Sequence, residues 1–168
     1  TVEDSEFHVA ENSRAGTEVG KVVASDPDVL NPAFGTLYYS LADSTAGAAS
    51  LFDIDENGKI TVAQGANLDF ETDSVFFVKA IVTDGTLSDT AIGKISLDDT
   101  PEPPKFDDHT PTFTVDENVP AGTSVGFVTA SDVDDDDTLT YSIGDPTDTF
   151  VIDSVTGEIT VKGDRNIE

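Results

Sequence analysis

Apolar residues recur at every second position along most of this chain. Phe7/Val9, Leu37/Tyr39/Leu41, Phe52/Ile54 and Ile60/Val62 each form such a run, and Ala-Gly, Asn-Gly and Asp-Gly pairs stand between the runs. A period of two places alternate side chains on one face of an extended chain, so each run predicts a half-buried β-strand. Val75 to Thr83 reads as a longer strand with Phe76, Val78, Ala80 and Val82 facing one way, and Ala91 to Leu97 as its successor with Ala91, Ile95 and Leu97 inward. No helical stripe is present. About seven short strands in some 100 residues predict an all-β fold, a β-sandwich with Greek-key connections.

The pattern is used twice. Phe7 to Asp28, FHVAENSRAGTEVGKVVASDPD, returns as FTVDENVPAGTSVGFVTASDVD, Phe113 to Asp134, at a constant offset of 106. LYYSL then matches LTYSI and LFDIDENGKITV matches TFVIDSVTGEITV, with the offset falling to 102 at Tyr39/Tyr141 and 98 at Phe52/Phe150. Strands persist while the loops between them change length, as expected of one duplicated fold. Copy two stops where copy one goes on to its last two strands, so tandem sandwiches are expected with the second incomplete.

Charge narrows the function. Thirty-four Asp and Glu against 8 Lys and Arg give a net charge of −26, which repels phosphate and excludes nucleic acid as a partner. An anionic membrane surface is disfavoured for the same reason. The 37% hydrophobic content, arranged in alternating runs, argues for folded domains over an acidic disordered chain. There is no Cys, so no disulfide contributes. No apolar run approaches the roughly 18 residues of a membrane span, and TVEDSEF lacks signal-peptide character, so a soluble segment is expected. The only histidines, His8 and His109, have no Cys or His neighbour to suggest zinc. Gly122 to Gly126 matches a nucleophile elbow only formally, because its copy carries Glu18 in place of Ser124. An enzyme is not expected.

The acids are placed, not scattered. Asp132 and Asp134 to Asp137 put five aspartates in six positions, and Asp26/Asp28, Asp69/Glu71 and Asp132/Asp134 each lie two apart, on one face of an extended chain. Ca²⁺ takes six to eight hard oxygen ligands and removes the repulsion among the carboxylates that supply them. A solvated acidic surface explains the total charge but not the recurrence in register; Asp135 to Asp137 read as solvated loop. Asp53-x-Asp55-x-Asn57-Gly58 opens like an EF-hand loop, yet its twelfth position is Gln64 and copy two has Val151 for Asp53. A hairpin turn explains it better.

Taken in order, F-x-V-x-E-N-x-x-x-G-T-x-V-G-x-V-x-A-S-D-x-D, the Tyr-Ser pair, F-x-I-D…G-x-I-T-V, LDFE (Leu68 to Glu71) and VTDG (Val82 to Gly85) resemble a cadherin repeat of the bacterial cadherin-like kind. The resemblance implies a repeat over residues 1–99, a Pro/Asp-rich linker at 100–109 and an incomplete repeat at 110–168. It implies Ca²⁺ between repeats, held by Glu11, Asp69 and Glu71 from repeat one, Asp107 and Asp108 from the linker with the His109 carbonyl, and Asp132 and Asp134 from repeat two. Asp26, Asp28 and Asp84 complete the candidate metal set. The linker, DDTPEPPKFDDHTPTF, departs from the family pattern, so Asp98/Asp99 and Asp107/Asp108 both remain open as its ligands, and Thr100 to Pro104 should form a stiff spacer. Glu11 and Asp134 are expected at strand ends outside the core.

The function implied is adhesion, or stiffening of a stalk, at an extracellular or cell surface, with other adhesion domains or surface glycans or proteins as partners. A carbohydrate-binding module is the alternative, with Phe77 and Ile81 as an exposed strip. A homodimer that covers the open edge of the second repeat, by strand exchange or edge pairing, is also expected.

Overall fold

A computed structural model describes residues 5–27, 36–134 and 137–163, and apart from one 3-10 turn, Ala48–Ser50, all its regular structure is β-strand. Unit 1, Thr1–Thr100, and unit 2, Pro101–Glu168, have separate interiors.

Unit 1 contains β1 (Ser5–Ala10), β2 (Glu18–Lys21), β3 (Tyr38–Asp43), β4 (Phe52–Ile54), β5 (Lys59–Val62), β6 (Val75–Thr83) and β7 (Ser88–Asp98). They form two sheets, ordered β1-β7-β6-β3 and β2-β5-β4. Only β4–β5 and β6–β7 are hairpins; every other connection crosses between sheets, which gives the Greek key. β6 alternates exposed and buried along VFFVKAIVT as its sequence requires, and β7 pairs with it antiparallel from Thr83↔Ser88 to Val75↔Ser96. β1 lies parallel to the far half of β7, from Ser5↔Gly93 to Ala10↔Asp98.

Facing side chains of the two sheets make the core. Ile60, Val78 and Ile95 have no exposed surface, Val62, Leu68 and Phe52 almost none, and the Phe52 and Phe76 rings meet edge to face with centroids 6.0 Å apart. Each such side chain contributes about 1.5–3 kcal/mol on burial. β4 and β5 turn at Asp55, whose Oδ1 accepts the Asn57 and Lys59 amides at 2.8 and 2.9 Å. The DIDENGK stretch is therefore a hairpin turn.

Unit 2 contains β8 (Lys105–Phe106), β9 (Ser124–Phe127), β10 (Ala130–Ser131), β11 (Phe150–Ile152) and β12 (Glu158–Val161). The sheet β11-β12-β9 repeats β4-β5-β2. Two details show that the duplication extends to side chains. A Cβ on Gly20 would fall inside the Phe7 ring, and one on Gly126 inside the Phe113 ring. Asn12 and Asn118 both adopt left-handed backbone, φ 53° and 60°, which Asn tolerates better than most residues.

The other sheet is not repeated. Phe113–Val115 and Leu139–Ser142, the counterparts of β1 and β3, are not strands, because the strands that pair with them in unit 1, β7 and β6, have no counterpart among the described residues. β8, within the expected linker, instead pairs antiparallel with β10. Lys105 and Phe106 of that linker therefore pair within unit 2, beyond the Thr100 to Pro104 spacer.

Candidate metal centre

The two ends of unit 1 carry different acids. β7 is 11 residues long, so its ends lie about 33 Å apart at some 3.3 Å per residue. At its Ser88 end, Asp26 and Asp84 line a groove of about 300 Å³ with Ala24, Leu37, Thr83 and Asp89. Asp84 is committed to the hairpin: its Oδ1 accepts the Thr86 and Leu87 amides at 2.6 and 2.7 Å, and these bonds, Leu87's first, hold its pKa below the usual carboxylate value. Asp28 lies outside the described residues.

At the other end, three segments of chain converge on Glu11. Its amide donates to the Asp98 carbonyl, and the Asn12 amide donates to the carbonyl of buried Leu68. The Glu11 carboxylate accepts the Phe70 amide through Oε2 and the Thr100 amide through Oε1, each at 2.9 Å. Glu11 is only 3% exposed. The expectation of a strand-end residue outside the core is corrected here: β1 does end at Ala10, but the 68–70 turn and the end of β7 close over the next side chain.

A carboxylate oxygen of Glu71 lies within 4.8 Å of one on Glu11 and of one on Asp99. At this spacing each pair repels by on the order of 1–3 kcal/mol for effective dielectric constants between about 80 and 20. Asp69 faces its own turn and accepts the Thr72 amide at 2.9 Å. Asp98 pairs with His8 Nδ1 at 3.0 Å on the outer face of the sheet, so of the two adjacent aspartates it is Asp99 that joins Glu71.

In unit 2, Asp132, Asp134 and Asp137 bring carboxylate oxygens within 4.8 Å of one another. The Asp132 Oδ1 accepts the Asp134 amide at 3.2 Å and the Asp134 Oδ2 accepts the Glu102 amide at 2.8 Å. Asp137, which the sequence assigned to a solvated loop, belongs to this group; Asp135 and Asp136 lie outside the described residues. Asp107, Asp108 and His109 do not join it. β8 and β10 pair Lys105 with Ser131 and Phe106 with Ala130, which carries Asp107 away from Asp132, and the Asp107 amide donates to Thr129. Asp108 and His109 instead border an apolar cavity with Phe106, Ile152 and Ile159.

Every side-chain donor in these groups is a carboxylate oxygen. That chemistry fits a hard cation such as Ca²⁺ and disfavours zinc or copper, which take imidazole or thiolate. Asp137 is the residue that the motif pairs missed, and its signal was the aspartate run itself; Asp99 belongs to the Asp98/Asp99 pair that the sequence left open.

The cadherin domain family model matches residues 5–98. Cadherin-9 of Mus musculus is 33% identical over 173 residues, covering 92% of this chain and 21% of its own length. Protocadherin Fat 4 of Homo sapiens is 34% identical over 159 residues, covering 91% of this chain and 3% of its own. The chain thus spans about a fifth or less of these relatives. Among solved structures, mouse cadherin-23 EC22-24 superposes with a TM-score of 0.65 at 27% identity over 97% of this chain and 53% of that one. Human protocadherin-24 EC1-2 shares the fold, with a TM-score of 0.72 at 23% identity, over 95% and 76%. No helix among the described residues is long and apolar enough to cross a membrane.

Proposed function

Because the chain belongs to the cadherin domain family, whose members are adhesion modules and not enzymes, we propose that it is a calcium-binding adhesion or structural segment in which Ca²⁺ stiffens the boundary between successive repeats. The observation that carries this reading is the crowding of carboxylates: in unit 1 Glu71 lies within 4.8 Å of Glu11 and of Asp99, and in unit 2 Asp132, Asp134 and Asp137 lie within 4.8 Å of one another. Clustered carboxylates in a chain of net charge −26 repel one another unless a cation lies between them. Those six residues would hold the metal, with Asp69 as a further oxygen donor beside them. Asp26 and Asp84 would serve a separate site at the other end of unit 1, Asp28 lies outside the described residues, and Asp107, Asp108 and the His109 carbonyl are the weaker assignments.

In this reading residues 1–99 are one repeat, 100–109 the linker and 110–168 an incomplete second repeat of the bacterial cadherin-like kind. The chain works at an extracellular or cell surface, against other adhesion domains or against surface glycans or proteins. Calorimetric titration with Ca²⁺ after chelation, combined with small-angle scattering, tests it. Saturable binding should accompany a longer, stiffer particle. Absence of binding at millimolar-order calcium, the weak end of extracellular sites, overturns the reading.

A further inference from the structure

We propose that Asn57 is a spontaneous modification site: it converts to isoaspartate when the β4–β5 hairpin opens and is held unreacted while the hairpin is closed. Asn57 is the only Asn in the chain that Gly follows. In the reaction the Gly58 main-chain nitrogen, losing its proton to water, bonds to the Asn57 side-chain carbonyl carbon. The bond from that carbon to the side-chain nitrogen breaks and ammonia leaves. Water then opens the cyclic imide to aspartate or isoaspartate, so no oxidant, reductant or cofactor is needed. Gly permits the approach because no Cβ stands beside the attacking nitrogen, whereas Asn12, Asn67 and Asn118 precede Ser13, Leu68 and Val119. Asp84-Gly85 offers the same backbone, but its acid must be neutral to react, and the Leu87 and Thr86 amides keep it ionised.

The closed hairpin blocks each requirement of that reaction. The nucleophile is occupied: the Gly58 amide donates to the Asp55 carbonyl at 3.0 Å, and the Gly58 carbonyl accepts the Val22 amide at 2.8 Å. The electrophile is held: the Asn57 main-chain amide donates to Asp55 Oδ1 at 2.8 Å, and its side chain hydrogen-bonds the same carboxylate. The turn has no room to swing the two together, since Gly58 is buried at φ 78° and a Cβ there would lie 2.4 Å from the Val22 carbonyl oxygen and 3.2 Å from the Tyr39 ring. Asn57 itself is exposed, so water reaches it once the turn opens. Isoaspartate routes the main chain through Cβ and adds one atom between the Asn57 Cα and Gly58. That takes Gly58 out of register with Val22, and the product becomes a one-way record of turn opening. Unit 2 contains an inert counterpart: Gly157, at φ 72°, donates to the Asp153 carbonyl at 3.0 Å and accepts the Val128 amide at 3.1 Å, but Thr156 precedes it.

The full 168-residue chain, aged at mildly alkaline pH in buffer and in denaturing urea, is digested and mapped by mass spectrometry for the amide-to-acid mass gain, with isoaspartate assayed enzymatically. In urea Asn57 should convert faster than Asn67. In buffer it should convert about tenfold or more slowly than in urea, because only the open fraction reacts. Asp55→Ala, at the hairpin turn outside the buried core, should raise the rate in buffer by about threefold or more and leave the rate in urea unchanged. Thr156→Asn, which builds Asn-Gly into the second turn, should show the same protection in buffer. Converted chain, separated from unconverted, should melt with a lower midpoint for unit 1. Conversion in buffer as fast as in urea, a urea rate no faster than that of Asn67, or a rate in buffer that Asp55→Ala leaves unchanged overturns the proposal. So does absence of protection in Thr156→Asn, or an unaltered unit 1 midpoint after conversion.

Discussion

Replacing Glu11 by Ala tests its role in stability apart from metal when the melting is done in chelator. Its carboxylate receives two backbone amides at 2.9 Å in a position 3% exposed. Hydrogen bonds to a charged group contribute about 1.5–3 kcal/mol each, but the Phe70 and Thr100 amides are half-buried and water partly replaces the lost acceptor. The expected loss is about 2–4 kcal/mol without any metal. For a domain of this size each kcal/mol lowers the midpoint by about 4–8 °C. Unit 1 of Glu11→Ala should therefore melt roughly 10–20 °C below wild type in excess chelator, followed by circular dichroism or calorimetry. Glu11→Gln, which keeps one acceptor, should fall between the two. A melting curve in chelator that coincides with wild type would show that the amides are satisfied without Glu11, and would refute the clamp across the three segments.

Calcium at a hundredfold over its dissociation constant should add about 2.7 kcal/mol to stability, read as a raised midpoint relative to chelator; coincident curves count against the metal reading. Asp132→Ala should cut calcium affinity about tenfold or more while shifting the chelated midpoint far less than Glu11→Ala does, measured by titration and melting side by side. Gly20→Ala drives a methyl group into the Phe7 ring and should cost about 1–3 kcal/mol, relieved by the second change Phe7→Val; an undiminished midpoint in the single variant contradicts the packing. Asp145 accepts the Thr147 hydroxyl and the Phe150, Thr147 and Thr149 amides, and these bonds, the hydroxyl's first, hold its carboxyl well below the ordinary carboxylate range. Its folded pKa is depressed, so its contribution is present above the unfolded value of about 3.9 and is lost as pH falls through the folded value. Asp145→Asn should flatten the acid limb of unit 2 unfolding, and an identical limb in the variant would contradict that assignment.

Strand identity was legible wherever one face of a strand is buried, because there alternation and burial are the same fact. Val75–Thr83 is a strand over the predicted range, and Phe52/Ile54 and Ile60/Val62 fall on β4 and β5. Three features were not legible. The parallel pairing of β1 with β7 joins residues some 90 positions apart, and nothing in either segment marks the direction of its neighbour. The same sequence pattern is a strand at Phe7 and not at Phe113, since the ladder bonds come from a partner and not from the segment itself. Glu11 and Glu117 occupy identical motif positions, yet one is buried and the other exposed, because burial is conferred by the 68–70 turn and the end of β7. At the metal groups the paired acids were visible by spacing. Asp137 enters through loop closure, which spacing does not encode, and the choice of Asp99 over its neighbour Asp98 follows from the pairing of Asp98 with His8.

The direction of β1 has a mechanical consequence. β1 and β7 run side by side and parallel, so the chain enters unit 1 towards one end of the sandwich and leaves it at the other. Tension applied through the two termini of the unit would act along the shared strand axis and load the six residue pairs from Ser5↔Gly93 to Ala10↔Asp98 together, in shear, where an antiparallel terminal pair would be peeled open one bond at a time. Resistance to pulling would then be set by simultaneous rupture of that short ladder, with the amides that Glu11 holds lying immediately beyond it.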